Sequence, residues 1–148
     1  MKKTLAAAAS ALALLAPLAA QAAGEFGSAA EARAMLDKAV AALKADKAGA
    51  LNQFSKGEAG FKDRDLYPFC GGPDGNFTAH PSLAGKSMKD LKDKAGAPIG
   101  TQFYGSAKEG SVSEVAYMWP RPGTEQPVKK VSLVTKVGDQ VCAVGYYQ

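Results

Sequence analysis

LYPFCGGPDGNFTAHP, Leu66 to Pro81, reads as a hairpin and decides the fold. Tyr67 to Cys70 is strand-like, Gly71 to Gly75 is a turn, and Asn76 to His80 is a second strand. Asp74-Gly75 between apolar runs is the signature, because glycine takes the positive φ that tight turns require. The same stretch holds one of the two cysteines and the single histidine. A helical run precedes it and further strands follow, so the expected fold is α+β: a sheet begun by this hairpin, with a helix packed on one face.

Upstream, Ser28-Ala29-Ala30-Glu31 has the capping-box pattern, in which serine and glutamate satisfy the free N–H groups of a helix start. Ala32, Met35, Leu36, Ala39, Val40 and Leu43 then recur on one face at helical spacing. Gly49 is placed to end this helix. Its polar side mixes both charge signs, which fits packing on the domain's own sheet rather than on a membrane surface. Ala50 to Phe54 adds a further turn.

Downstream, Ser87 to Leu91 and Ile99 to Ser106 read as short helices. SVSEVAYMWP alternates, with Val115, Tyr117 and Trp119 on one face. Three prolines between Pro120 and Pro127 mark a loop. KKVSLVTKV is a strand with Lys130, Ser132 and Val134 on one side, and VCAVGYY is the last strand.

The first residues are a different kind of segment. Lys2 and Lys3, the apolar run Leu5 to Leu15 and the small-residue site Ala20-Gln21-Ala22 form a secretory signal, cleaved near Ala22. The expected organisation is a signal peptide over 1–22 and one domain over 23–148, periplasmic or secreted. The formal charge of +4 includes the two leader lysines. What remains is nearly balanced and shows no basic run with interleaved aromatics, so nucleic acid is not a partner.

Two cysteines in an oxidising compartment are a disulfide by default. Cys70 lies in the first strand and Cys142 in the last, so a bond between them requires those strands to be neighbours. It is worth about 4 kcal/mol on the chain-entropy account. No motif for haem or zinc is present, and a second histidine is lacking, so neither cofactor nor metal is expected. Gly71-Gly72 is not a phosphate loop. A secreted hydrolase using Cys70 and His80 is the enzymatic rival, and it needs free thiols.

One long helix, five strands, and short helices between the second and third is the order of PAS-like sensor domains. The chain resembles the single Cache domains, the extracytoplasmic ligand-sensing modules of bacterial chemoreceptors and histidine kinases. DLYPFCGGPDGNFTAHPSLAGKSMKDLKDKAGAP (65–98), AYMWPRPGTEQPVKKVSLV (116–134) and the terminal AVGYY carry the resemblance. It implies a PAS-like Cache fold with its first and fifth strands side by side, the adjacency a Cys70–Cys142 bond demands. It also implies a pocket for a small molecule of the carboxylate or amino acid class, between the concave sheet face and the loops after the second strand.

A pocket for a small anion needs a few aimed donors in an aromatic wall. Lys130, His80, Tyr117, Trp119 and Tyr67 are the candidates, with Phe69, Tyr104 and Ser132 as lining. Lys130 is either exposed or facing an anion, because burying a lone ammonium is costly. His80, Tyr117 and Trp119 each have packing as the alternative role. Receptor-borne relatives sit between membrane helices, whereas this chain is expected to be a free-standing secreted member that hands its signal to a membrane histidine kinase or chemoreceptor. An accessory interaction module without its own ligand is the other reading. Whether the N-terminal helix forms a homodimer, as in receptor-bound relatives, stays open.

Overall fold

The computed structural model describes residues 24–148. The expected signal peptide over 1–22 lies outside the described residues. Two helices open the fold, α1 (Ala29–Ala45) and α2 (Lys47–Lys56). They are followed by β1 (Pro68–Gly71), β2 (Phe77–Ala79), α3 (Ile99–Ser106), β3 (Ser113–Pro120), β4 (Pro127–Val137) and β5 (Gln140–Tyr147). The five strands form one sheet in the order β2-β1-β5-β4-β3, and every neighbouring pair is antiparallel.

The capping box forms as expected. Glu31 N donates to Ser28 Oγ (3.2 Å), and Ser28 N donates to Glu31 Oε2 (2.8 Å). The long helix also forms, over Ala29–Ala45, but it ends at Asp46 rather than at Gly49. Asp46 breaks the run: it is the C-cap of α1, and its carboxylate accepts from Gly49 N (3.0 Å) as the N-cap of α2. A carboxylate among the free N–H groups of a first turn satisfies donors and meets the positive end of the helix dipole. Gly49 therefore sits in the first turn of α2, and Gly57 at φ 68° takes the terminating role instead.

The hairpin closes as read. Gly75 adopts φ 87°, and Asp74 Oδ1 accepts from Asn76 N (3.0 Å). The expected helix over Ser87 to Leu91 is absent. Gly75 O accepts from both Met88 N and Lys89 N, and Asn76 bridges Ser87, so this backbone is committed to the hairpin. Only Ile99 to Ser106 is helical here. Gly100 lets α3 press directly on the Met88 and Lys89 carbonyls, where a Cβ would collide.

Because side chains alternate along a strand, the sheet sorts its apolar residues into two cores. One, on the α1 and α2 side, holds Leu36, Phe54, Leu66, Leu133 and Val144, together with Cys70 and Cys142. The other, under α3 and the 81–98 segment, holds Phe69, Phe77, Phe103, Tyr117 and Val134. Cys70 and Cys142 are register partners on β1 and β5, with Cα atoms 4.1 Å apart, and they are disulfide-bonded. The bond joins the hairpin to the long strands from the helix side, so β1 turns Phe69 toward the opposite face.

Candidate functional site

The face opposite the helices carries a buried cation. β4 places Lys130 between Tyr117 of β3 and Tyr147 of β5 in register. Lys130 is only 1% exposed. Its Nζ donates to Tyr67 Oη (3.2 Å) and lies 4.7 Å and 4.9 Å from the ring centroids of Tyr67 and Tyr147. Among the described residues no carboxylate is within ion-pair distance of it. Aromatic faces offset part of the cost of desolvating an ammonium, but not the whole. Burial pushes Lys130 down to about 7, with the charge of Asp65 opposing. Asp65 is itself buried, accepting from Gly27 N (2.7 Å) through Oδ1 while Oδ2 has no partner among the described residues.

Gly145 makes room for this arrangement. It faces Ser132 across β4 and β5, and a Cβ there would overlap the Lys130 stem and crowd Ser132 Oγ. Gly145→Ala is expected to cost about 1–3 kcal/mol of stability, the usual range for overpacking. A denaturant midpoint equal to the parent's would show that the stem moves aside freely.

Lys130 borders a narrow cavity. Its open centre takes about one water molecule. His80 and Tyr67 stand beside Lys130, with Phe69, Tyr117 and Trp119 completing the sequence-derived part of the wall. His80 Nδ1 accepts from Ser82 N (3.0 Å) and Leu83 N (3.1 Å). An acceptor at Nδ1 fixes the neutral tautomer with its proton on Nε2, a hydrogen-bond donor. Burial, with Lys130 adding, holds the imidazole down to about 4, so this tautomer persists through neutral pH.

Two of the expected lining residues are placed elsewhere. Tyr104 turns off the cavity, and its hydroxyl donates to Gly72 O (2.8 Å). α3 presents Phe103 to the cavity in its place. Ser132 lies behind the wall, sharing a 2.8 Å hydrogen bond with Tyr117 Oη. Phe77, Leu83 and Leu91 also line the cavity and were not among the candidates. Alternation along β2 marks Phe77 as inward, but the two leucines are brought in by loop contacts with no periodic signal. One such contact is the Asp93 carboxylate, which accepts from Met118 N (3.0 Å) on the edge strand β3.

A wider outer chamber of about 280 Å³ abuts the cavity across Tyr67, His80, Leu83 and Trp119. Lys62, Arg64 and Arg121 line it. Arg64 is saturated, donating to the carboxylates of Glu31 and Asp63 and to the carbonyls of Gly24 and Phe26. The hydrolase constellation is not assembled. Cys70 is in a disulfide and packs in the helix-side core, while His80 lines the cavity on the other face.

A family model described as the Cache domain matches residues 32–146. This chain belongs to the Cache domain family. No curated protein sequence matches it. Its fold is similar to that of several solved Cache-type structures. A methyl-accepting chemotaxis protein from Vibrio parahaemolyticus is 23% identical with a TM-score of 0.64, covering 80% of this chain and 86% of that one. The periplasmic sensor domain of a chemotaxis protein is 23% identical with a TM-score of 0.60, covering 78% and 87%. A Cache chemosensory domain described for carboxylic acid recognition is 22% identical with a TM-score of 0.59, covering 78% and 85%. In this Cache domain the cavity occupies the sheet face opposite α1 and α2, bounded by α3 and the segment that follows β2.

Proposed function

We propose that this Cache domain is an extracytoplasmic sensor of a small carboxylate, which it binds at Lys130 and reports to a membrane histidine kinase or chemoreceptor. The observation that carries this reading is the buried Lys130 ammonium, without a carboxylate partner among the described residues, at the wall of a cavity. An isolated buried charge is retained at a cost in stability, and a ligand anion offsets it. His80 Nε2 and the Tyr67 hydroxyl add neutral donors beside the cation. Aromatic and aliphatic walls then suit a short carbon tail. The neighbour described for carboxylic acid recognition supports this choice of ligand class. The narrow cavity opens by outward movement of Leu83, Leu91 and Trp119, which are only partly buried.

A thermal-shift series of the mature protein against acetate, propionate, lactate and neutral amino acids tests the reading. A ligand at 100 times its dissociation constant adds about 2.7 kcal/mol. The expected result is a raised melting temperature with one or more carboxylates. The tightness of the cavity favours a second reading, an accessory interaction module with no small ligand. A flat response in folded, ligand-free protein would leave only that one.

A further inference from the structure

Ahead of α1, residues Gly24 to Gly27 are strapped to the segment that leads into β1. Arg64 Nη1 donates to Gly24 O (2.8 Å) and Phe26 O (3.0 Å), and Gly27 N donates to Asp65 Oδ1 (2.7 Å). Gly27 packs so closely on Leu66 that a Cβ would collide with it. Among the described residues Phe26 is the one exposed large apolar side chain, at 43%. Its ring centroid lies 4.2 Å from the Arg121 guanidinium, in the loop after β3. A phenyl ring this exposed gains little from burial, so its contact with the cation is what fixes it.

Arg121 can pass that restraint inward. It lies between Pro120 and Pro122, whose rings fix φ, so the backbone from Trp119 to Pro122 moves as a stiff unit. Tyr147 Oη donates to Pro120 O (2.8 Å), which gives the unit a fixed point between Arg121 and Trp119. Arg121 lines the outer chamber, and Trp119 stands where that chamber meets the inner cavity.

The seat of the strap is incomplete. Glu25 and Phe26 of the strap, Arg64 and Asp65, and Arg121 and Pro122 of the loop line a cleft of about 270 Å³. Among the described residues two buried side-chain polar atoms have no hydrogen-bond partner, Asp65 Oδ2 and Arg121 Nε, and both residues line this cleft. Unpaired groups raise the free energy of the state that buries them. Movement of Arg121 away from Phe26 widens the cleft and lets water reach both atoms. The closed arrangement is thus held by an aromatic–cation contact against an opposing penalty, which is the condition for a contact that yields readily.

We propose that Phe26 is a latch on the binding site. Stacked on Arg121, it holds the 121–126 loop and, through Pro120, Trp119 in the closed position, and a ligand entering past Trp119 must unseat it. This rests on the reading that the cavity opens at Trp119 and is independent of the chemical class of what enters.

Hydrogen exchange and acrylamide quenching of the intact, ligand-free mature protein test it. Trp119 is the only tryptophan of the chain, so its emission reports this wall alone. Losing an exposed cation–π contact in F26A is expected to speed exchange over 121–126 by about two- to fivefold. Quenching of Trp119 should rise with it, while exchange in α3 stays as in the parent. F26Y keeps a ring for the cation and should behave as the parent does. R121Q should match F26A, and the two together should add nothing further, because both remove one contact. Parent-like exchange and quenching in F26A overturn the proposal, and so do additive effects of the two substitutions. Faster exchange that extends over α3 overturns it as well, since that is general destabilisation rather than release of one loop. If F26A responds as expected while every carboxylate leaves the melting temperature unchanged, the latch stands and the carboxylate reading falls alone.

Discussion

Lys130→Met should abolish carboxylate binding and at the same time make the ligand-free protein more stable. Methionine keeps the length and apolar stem of lysine, so the space beside Gly145 and the Tyr67 and Tyr147 rings stays filled. What disappears is a buried charge with no carboxylate partner among the described residues. Removing such a charge is expected to raise stability by about 1–4 kcal/mol below neutral pH, the range seen when buried ionic groups give way to apolar ones. Loss of the ligand's cation should weaken binding by about 2 kcal/mol or more, at least roughly 30-fold. Titration calorimetry and urea melts of the same two proteins check both halves. Unchanged carboxylate affinity in the variant would remove Lys130 from the site.

The titration of the same group predicts a pH profile. Only the ammonium form attracts an anion, and burial brings Lys130 from 10.5 to about 7 in the folded protein. Carboxylate affinity should be level below about pH 7 and fall about tenfold per unit above it, since each unit removes nine-tenths of the charged form. The stability of the ligand-free protein runs the other way. Below pH 7 both folded and unfolded chains hold the proton, and the burial penalty is present in full. Between pH 7 and 10.5 the unfolded chain binds a proton that the folded one has shed, so stability rises with pH. Lys130→Met should show neither trend. Comparing the two proteins at each pH cancels the contribution of the buried tyrosines, whose pKa values burial pushes up.

How much of this was readable beforehand follows from the range of the interactions involved. Alternation along β4 puts Lys130 and Ser132 on one face, and alternation along β3 does the same for Tyr117, so these positions follow from a period of two. The hairpin was readable because Asp74-Gly75 is a local signal. The break at Asp46 was not, because an aspartate within an apolar periodicity reads as surface until its carboxylate is seen on Gly49 N. Ser87 to Leu91 misled for a related reason. Its spacing is helical, but Gly75 O takes its amide donors first, and that contact is tertiary. The exchange of Tyr104 for Phe103 is a matter of helix phase. The approach of α3 at Gly100 sets which of two adjacent aromatics faces inward, and an eight-residue helix carries too few turns to declare its phase. Ser132 shares its face with Lys130 yet stops short of the cavity, because the longer Tyr117 side chain reaches over it.

Replacing both cysteines, as Cys70→Ala with Cys142→Ala, should lower stability by about 4 kcal/mol. The cross-link spans 72 residues, and its main effect is to restrict the unfolded chain. For a domain of this size that corresponds to a melting temperature lower by about 15 °C. The loss should not be confined to the unfolded state. β1 has four residues and β2 three, and the disulfide is the covalent tie from this short ribbon to β5. Phe69 on β1 and Phe77 on β2 form one side of the cavity, and Tyr67 and His80 flank these strands. A looser ribbon therefore blurs the donors beside Lys130, so carboxylate affinity should fall along with stability. Saturating carboxylate should then raise the melting temperature of the variant as well as that of the parent, since the ligand holds the same wall from the other face. Chemical melts under oxidising and reducing conditions, with and without ligand, resolve the two effects. An indifferent melting curve on reduction would show that the ladder between β1 and β5 holds the ribbon unaided, and the disulfide would then have no part in shaping the site.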